Sequence, residues 1–268
     1  MKLPLLSKHA TGWSERLLAG LLLGLLLSAH ARAATAGTNE FLARIYTNAA
    51  KRTLPYRLLA PRNYDPKKSY PMILYLHGAA ARGTDNAAPL NWGPLFFLDD
   101  TLRARHDFFL VVPQCARAEG WLESPLFQKG WKESASLTLA LELVRDALPG
   151  EFNIDPTRRY LTGVSMGGHA VWVVLIHRPG LFAAAVPVCA GGDARTVTRE
   201  AARCPVWAFH SDDDHLVPVQ QARDFVQAWR DHGGTAKYTE YTGLKHSSWT
   251  KAYVEPKMFD WLFQQQLR

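Results

Sequence analysis

A Gly-x-Ser-x-Gly pattern, Gly163 to Gly167, is the feature that most constrains what this chain can fold into. A short apolar run precedes it and a helix-like run, Ala170 to His177, follows it, so the pattern predicts a strand, a tight turn and a helix in succession. Glycines on both sides remove the Cβ atoms that would collide in such a turn, which lets Ser165 adopt a strained conformation with its Oγ exposed. A dinucleotide-binding loop is the competing interpretation, but no Gly-x-Gly-x-x-Gly occurs here.

Strands and helices alternate along most of the chain. Continuous apolar runs such as Met72 to Leu76 predict strands covered on both faces, and runs with a helical period lie between them, as in Ser134 to Leu148. A hairpin signal joins Phe41 to Tyr46 with Thr53 to Leu59, which predicts two antiparallel strands at one edge. The last predicted helix runs from Trp249 to Gln266. The sequence therefore predicts an α/β fold with a mostly parallel sheet of about eight strands, helices on both faces and no large cap domain.

The beginning of the chain has the pattern of a cleavable export signal. Basic residues occur between Lys2 and Arg16, a leucine-rich run extends from Leu17 to Leu27, and Ala31-Arg32-Ala33 fits a cleavage site. The apolar run is about eleven residues long, whereas a bilayer span needs roughly twenty, which disfavours a membrane anchor. We therefore expect a signal peptide over residues 1–33, one domain over residues 34–268, and a secreted or periplasmic protein with no stable membrane anchor after cleavage.

Charge argues against one class of partner. The formal net charge is +7, and loss of the leader, with four basic residues and one acidic residue, lowers it to +4. No Lys/Arg run and no basic stripe interleaved with aromatic residues occurs, so we expect no nucleic-acid partner.

Three cysteines, Cys115, Cys189 and Cys204, permit one disulfide at most. Cys189 ends one predicted strand and Cys204 precedes the next, so in a parallel sheet they lie at opposite edges. That separation exceeds the reach of a disulfide, and we expect none between them.

A serine hydroxyl needs a base to accept its proton and a third group to hold that base. His246 stands in a glycine-containing loop between the last predicted strand and the last helix, where it can reach over the sheet edge. The acid should follow the strand that ends at His210, within a run of three aspartates; Asp214 is the first choice and Asp213 the alternative. The alternating acidic spacing of calcium loops is absent, and no metal or cofactor is implied.

Two backbone N–H groups are candidates for stabilising an oxyanion. Met166 begins the helix after Ser165, and Ala79 follows the strand that ends at Leu76, where Gly78 allows close approach of backbone and substrate.

Two long stretches, Ala81 to Arg105 and Ala116 to Lys132, do not fit the strand–helix alternation. Both leave the carboxyl ends of predicted strands, where open α/β sheets bind ligands. They carry Trp92, Trp121 and Trp131, which we predict to form walls of the substrate site, although aromatic residues also pack such loops onto a sheet.

Six segments carry a resemblance to a known family. They are Leu54 to Leu59 with Pro61 and Tyr64, Tyr70 to Asn86, Pro113-Gln114-Cys115, Tyr160 to Trp172, Pro205 to His210, and His246-Ser247-Ser248-Trp249. In these segments the chain resembles the secreted esterase or "predicted peptidase" branch of the α/β-hydrolases, which is similar to dienelactone hydrolases, phospholipase/carboxylesterases and polyhydroxybutyrate depolymerase-like enzymes. The resemblance covers nearly all of the chain after the leader.

The resemblance implies a nucleophile, an acid and a base at Ser165, Asp214 and His246, because the family's acid stands four residues before the proline of a Val-Pro turn, here Pro218. The chain departs from the family at Ser211, where a glycine is frequent, and in an alanine run, residues 79–81, where the family often has glycines. Neither departure removes a backbone donor, so the resemblance still implies activity.

The sequence thus predicts an exported serine hydrolase that cleaves a small-molecule or polymeric carboxylic ester. Two alternatives remain open: a serine peptidase acting on short peptides, and a non-catalytic protein that binds a ligand on a hydrolase scaffold.

Overall fold

An eight-stranded sheet runs through the part of the chain that the computed structural model describes, residues 38–123 and 132–267. The strands are β1 (Phe41–Thr47), β2 (Thr53–Leu59), β3 (Tyr70–Leu76), β4 (Phe109–Pro113), β5 (Ile154–Val164), β6 (Ala184–Val188), β7 (Val206–Ser211) and β8 (Ala236–Tyr241). Their order is β1-β2-β4-β3-β5-β6-β7-β8. β1 and β2 pair antiparallel and the other six strands run parallel, which confirms the mostly parallel sheet with a hairpin at one edge.

Helices cover both faces of this sheet. They are α1 (Asp100–Arg105), α2 (Ala135–Glu142), α3 (Leu148–Glu151), α4 (Met166–His177), α5 (Arg199–Ala202), α6 (Val219–Asp231), α7 (Trp249–Ala252) and α8 (Pro256–Phe263). The connection from β3 to β4 holds α1 and three short 3₁₀ turns, Ala79–Ala81, Ala88–Trp92 and Pro94–Leu98. Within the described ranges, no connection between strands is folded as a separate cap domain.

β3 shows why the central strands are apolar on both sides. Leu74 and Leu76 belong to the hydrophobic cluster on one face, whereas Ile73 and Tyr75 belong to the cluster on the other. Successive side chains of a strand point to opposite faces, so a strand with two buried faces needs a continuous apolar run.

The helices near Pro149 and Pro256 begin and end at residues other than those predicted from the sequence. The predicted helix from Trp249 to Gln266 is wrong as one element: α7 and α8 are separate, because Pro256 cannot continue α7 and instead begins α8, with Glu255 accepting a hydrogen bond from Lys257 N. Conversely, the helix predicted over Ser134 to Leu148 does not end before Pro149 but continues through it to the end of α3. A wide π turn, Leu143–Ala147, restarts the hydrogen-bond ladder, which places Pro149 in a first turn that needs no N–H from it.

The chain divides into two units, Met1–Glu40 and Phe41–Arg268, and the sheet with its helices belongs to the second. The predicted signal peptide, residues 1–33, lies outside the described residues, as does Trp131. Among the helices that the structure describes, none is both long and apolar enough to cross a bilayer.

Candidate active site

Ser165 lies in the sharp turn between β5 and α4. Its backbone has φ 52° and ψ −118°, a conformation that is uncommon for a residue with a side chain. The Ser165 N–H donates to Val188 O at 3.0 Å, and Ser165 O accepts from His169 N at 2.9 Å, so the end of β6 and the first turn of α4 fix the turn. Ser165 is partly exposed, whereas its neighbours from Tyr160 to Ala170 are buried, which presents its Oγ at the carboxyl edge of the sheet.

The glycines around Ser165 allow two segments of backbone to touch. A Cβ on Gly163 would lie 2.7 Å from the carbonyl carbon of Gly167, and one on Gly167 would overlap the carbonyl of Leu76. Separations this short do not occur between real Cβ and backbone atoms. The close approach of α4 to β3 and β5, and hence the turn at Ser165, therefore depends on these glycines.

Ser165, His246 and Asp214 form a chain of hydrogen bonds. His246 Nε2 lies 2.8 Å from Ser165 Oγ, and His246 Nδ1 lies 2.7 Å from Asp214 Oδ2. Because a carboxylate only accepts, Nδ1 carries the hydrogen in the neutral ring and Nε2 is left to accept from the serine hydroxyl. The structure thus brings together the three side chains that the sequence singled out, from three different loops.

Asp214 is the carboxylate on His246. Its Oδ1 accepts from the N–H groups of Leu216 and Val217 at 2.9 and 3.0 Å, and His210 Nε2 lies 3.2 Å from its Oδ2. Burial alone would raise the pKa of Asp214, but the hydrogen bonds from His210, His246 and Val217 outweigh burial and hold that pKa well below its ordinary value. Asp214 is therefore an ionised acceptor at neutral pH.

The other two aspartates of the run have different partners. Asp213 Oδ1 accepts from Ser211 Oγ and from Lys245 N, and Asp212 Oδ2 accepts from Thr242 Oγ1. The three carboxylates therefore do not converge. Across residues 38–123 and 132–267, no group of three or more His, Cys, Asp or Glu side chains is placed to hold a metal ion.

The loop after β3 lies against the turn at Ser165. A Cβ on Gly78 would be 3.7 Å from Ser165 Cβ, so the backbone at Gly78 and Ala79 passes close to the serine. Ala79 is the first residue of a 3₁₀ turn and Met166 the first residue of α4, positions whose N–H groups have no partner within the turn or helix. Both sequence-predicted oxyanion donors therefore stand next to the Ser165 turn.

The buried ring of His77 holds the loop after β3 in place by contacts with Gly78 and Cys115. Its Nδ1 lies 2.7 Å from Gly78 O and its Nε2 accepts from Cys115 N at 3.2 Å, so the neutral ring with the hydrogen on Nδ1 satisfies both contacts. Burial lowers the pKa of His77 to about 4, which keeps the ring neutral.

Trp121 is not a wall of the substrate site. Its side chain has 0% exposure, its Nε1 donates to His77 O at 2.9 Å, and its ring packs on His77 with centroids 4.9 Å apart. The prediction for this residue was wrong because the indole is buried in the core, where its N–H finds a backbone partner instead of facing a ligand. Trp121 anchors its loop beneath the Gly78–Ala79 segment.

Trp92 lies beside the site and is 38% exposed. Its ring meets that of Trp249 edge to face at 6.0 Å, and Trp249 meets the His246 ring at 6.2 Å. No role for Trp249 was predicted from the sequence; its position three residues after His246, at the start of a helix, was the available signal. Gly93, with φ 128°, turns the chain directly after Trp92, where a Cβ would lie 2.5 Å from Tyr75 Oη. The exposed indole is therefore held by a buried turn.

The family of this chain is shown by its similarity to known proteins. A model of the Esterase family, described as "Putative esterase", matches residues 47–223, more than half of the chain. The chain belongs to this family. With the sheet order described above, this confirms the predicted α/β-hydrolase fold of esterase type.

Several esterases resemble this family member along different shares of their length. The bifunctional acetylxylan esterase/xylanase XynS20E of Neocallimastix patriciarum is 27% identical over 64% of the chain, which covers 23% of that protein. The probable feruloyl esterase C of Aspergillus terreus is 28% identical over 80% of the chain and 75% of that protein. A crystal structure of a thermostable esterase is 34% identical with a TM-score of 0.79, covering 85% of this chain and 64% of that one. The chain thus spans about a quarter of the first relative and under two thirds of the solved esterase.

The cysteines of this Esterase-family chain are buried free thiols. Burial raises the pKa of Cys115 and of Cys204 to about 12, so both stay protonated at neutral pH. Cys189 follows the carboxyl end of β6, and Cys204 precedes the amino end of β7.

Proposed function

We propose that this chain is an exported serine hydrolase that cleaves carboxylic esters through an acyl-enzyme on Ser165. The observation that carries the proposal is the pair of hydrogen bonds at His246, 2.8 Å to Ser165 Oγ and 2.7 Å to Asp214 Oδ2. The family supports an ester rather than another hydrolysable bond, and two relatives are named for acetylxylan and feruloyl esters.

The first half of the reaction forms the acyl-enzyme. His246 Nε2 takes the proton of Ser165 as Oγ attacks the ester carbonyl carbon, and Asp214 holds the ring and stabilises its positive charge. The N–H groups of Met166 and Ala79 bind the oxyanion of the tetrahedral intermediate. When the intermediate collapses, the bond to the alcohol breaks and the alcohol leaves with the proton from His246.

The second half returns the enzyme to its starting state. Water attacks the acyl carbonyl while His246 again acts as base, and the new tetrahedral intermediate is held by the same two N–H groups. Its collapse releases the carboxylic acid and gives the proton back to Ser165 Oγ.

Trp92, with Trp249 behind it, is the proposed substrate wall in the described part of the chain. Trp249 meets the ring of His246, the group that must reach the leaving alcohol, and the exposed ring of Trp92 packs on Trp249, so a flat substrate portion can pack against Trp92 there. Trp131 stays a sequence-based candidate, and Gly78 would let the substrate carbonyl approach the Ala79 N–H.

Initial rates on p-nitrophenyl esters from acetate to palmitate, with methyl ferulate added, test the proposal. We expect turnover in the wild type and its loss by at least about 10³-fold in Ser165→Ala, because the nucleophile is removed. Ser69→Ala is a matched control, since Ser69 is exposed at the opposite end of the sheet. Comparable cleavage of short peptide amides would favour the peptidase, and tight ligand binding without turnover would favour the binding protein.

Export has a separate test. We expect protein recovered from outside the cytoplasm to begin at Ala34, which the mass of its N-terminal peptide would show. A chain that retains residues 1–33 there would contradict the proposed cleavage.

A further inference from the structure

The loop that carries His246 has an unusual backbone. Gly243 has φ 78° and Lys245 has φ 50°, so two residues in the left-handed region precede His246 within three positions. Glycine adopts this region freely, whereas lysine rarely does. Because lysine disfavours this conformation, contacts from outside the loop are needed to hold Lys245 in it. The position of the Lys245 peptide in turn determines where the next residue, His246, is placed.

Two side chains at the end of β7 and in the turn after it accept hydrogen bonds from backbone N–H groups of the His246 loop. Ser211 Oγ accepts from Leu244 N at 3.2 Å, and Asp213 Oδ1 accepts from Lys245 N at 2.9 Å. Ser211 in turn donates to Asp213 Oδ1 at 2.6 Å, which joins the two acceptors into one unit. We call Ser211 and Asp213 together the clamp.

Burial and charge make the clamp a firm support. Ser211 is fully buried at the end of β7, the strand from which Asp214 also follows. The hydrogen bond from Ser211, with further backbone donors at Lys245 and Gly243, lowers the pKa of Asp213, so the carboxylate is ionised at neutral pH. Hydrogen bonds to an ionised acceptor are stronger than those between neutral groups.

Adjacent aspartates thus contact adjacent residues of the opposite loop. Asp214 bonds the ring of His246, while Asp213 bonds the backbone of Lys245 one residue earlier. A shift of the Lys245 peptide would move His246 relative to Asp214 and Ser165 at once. Asp212 stands apart, since its carboxylate accepts from the hydroxyl of Thr242 rather than from the backbone of this loop.

We propose that Ser211 and Asp213 are positioning residues that hold the His246 loop so that its ring meets Asp214 and Ser165 simultaneously. This rests on the proposed function, in which His246 is the base. The serine matters in its own right, because a glycine at position 211 would leave Leu244 N and Asp213 without their common partner.

The first test separates geometry from charge at Asp213. Asp213→Ala removes the acceptor, and we expect kcat to fall about 10- to 100-fold with KM changed less than about twofold, since small displacements of a catalytic group are costly. Asp213→Asn keeps an oxygen acceptor at Oδ1, and we expect it to restore kcat to within about threefold of wild type. Equal losses in both variants would overturn the proposal, because an oxygen acceptor retained at this position would then do nothing to position the loop.

A double-mutant cycle tests the joint action of the pair. We expect Ser211→Ala to lower kcat as well. We expect the kcat of the double variant Ser211→Ala/Asp213→Ala to lie within about twofold of the kcat of the less active single variant. Additive losses would contradict a single clamp. Asp212→Ala removes the same charge one residue away and is expected to retain wild-type kcat within about twofold; a loss equal to that of Asp213→Ala would also overturn the proposal.

Two readouts separate positioning from misfolding and from failure of the proposed function. Rates are normalised to active sites titrated with a phosphonate, so that an unfolded fraction does not lower kcat. The low-field NMR resonance of the His246 Nδ1 proton is recorded without substrate; we expect it in wild type and Asp213→Asn and its broadening or shift in Asp213→Ala. Absence of ester turnover in wild type would contradict the proposed function. An unchanged resonance and an unchanged kcat in Asp213→Ala would instead contradict the positioning role of the clamp.

Discussion

The backbone of Gly167 lies directly against the carbonyl of Leu76. This close approach presses the start of α4 onto the end of β3 and so places Ser165 beside the Gly78–Ala79 loop. Gly167→Ala would force backbone against backbone, and we expect the free energy of unfolding to fall by about 3 kcal/mol or more. Gly150→Ala is the control, because a Cβ on that α3 residue meets nothing within 4 Å. Urea unfolding that shows equal stability for the two variants would contradict this expectation.

Two buried histidines predict acid sensitivity. Burial lowers the pKa of His77 and of His169 to about 4, whereas the pKa of an unfolded histidine is about 6.5. Between these two pKa values the unfolded chain binds protons that the folded chain does not. The free energy of unfolding is therefore undiminished by these histidines above about pH 6.5, and it falls as the pH decreases towards about 4. Each ring can account for up to about 3 kcal/mol of that loss.

The test is the pH dependence of stability in His169→Asn. Asparagine keeps a donor near the position of Nδ1, which contacts Gly191 O at 2.7 Å, but it does not titrate. We expect a smaller loss of stability between pH 6.5 and 4 than in wild type. His177→Asn should keep the wild-type slope, because His177 is exposed and solvated in both states. Identical slopes in all three proteins would be inconsistent with a buried neutral His169.

The hydrogen bond from Trp121 to His77 O predicts a stability effect without a change in substrate preference. Trp121→Phe leaves that buried carbonyl without its partner, which should cost about 1–3 kcal/mol. Trp172→Phe removes an equally buried indole whose Nε1 has no hydrogen-bond partner among the described residues, so the difference between the two variants isolates the bond. A changed ratio of rates along the ester series in Trp121→Phe would restore the substrate-wall interpretation.

Trp92 should behave in the opposite way. Trp92→Ala removes an exposed ring that packs on Trp249, and we expect kcat/KM for methyl ferulate to fall about 2- to 12-fold while p-nitrophenyl acetate changes less, since an aromatic contact is worth about 0.5–1.5 kcal/mol. Stability should change little. Ile45→Ala, at an exposed position on the edge strand β1, is the control. Equal losses on both esters would argue against a contact with a flat substrate portion.

The sequence was most informative where one force dominates. β3 needs apolar side chains on both faces, and the turn at Ser165 needs glycines where backbones touch, so both were readable from residue types alone. Proline was not, because its effect depends on the hydrogen-bond ladder around it: Pro256 begins a new helix, whereas Pro149 is absorbed after a wide turn.

Within the site, the choice between neighbours of the same type required the structure. Asp213 and Asp214 are chemically identical, and only the turn decides that one faces a backbone N–H and the other the His246 ring. Trp92 and Trp121 likewise differ in burial, which depends on contacts distant in sequence.

The most direct test of the acyl-enzyme at Ser165 is the intact mass of the protein quenched during turnover of a slowly deacylated p-nitrophenyl ester, followed by peptide mapping. We expect an adduct equal to the acyl group on Ser165, formed with a burst of p-nitrophenol, and no adduct in Ser165→Ala. Undiminished turnover in Ser165→Ala, or an acyl group on another residue that forms and decays at the turnover rate, would contradict it.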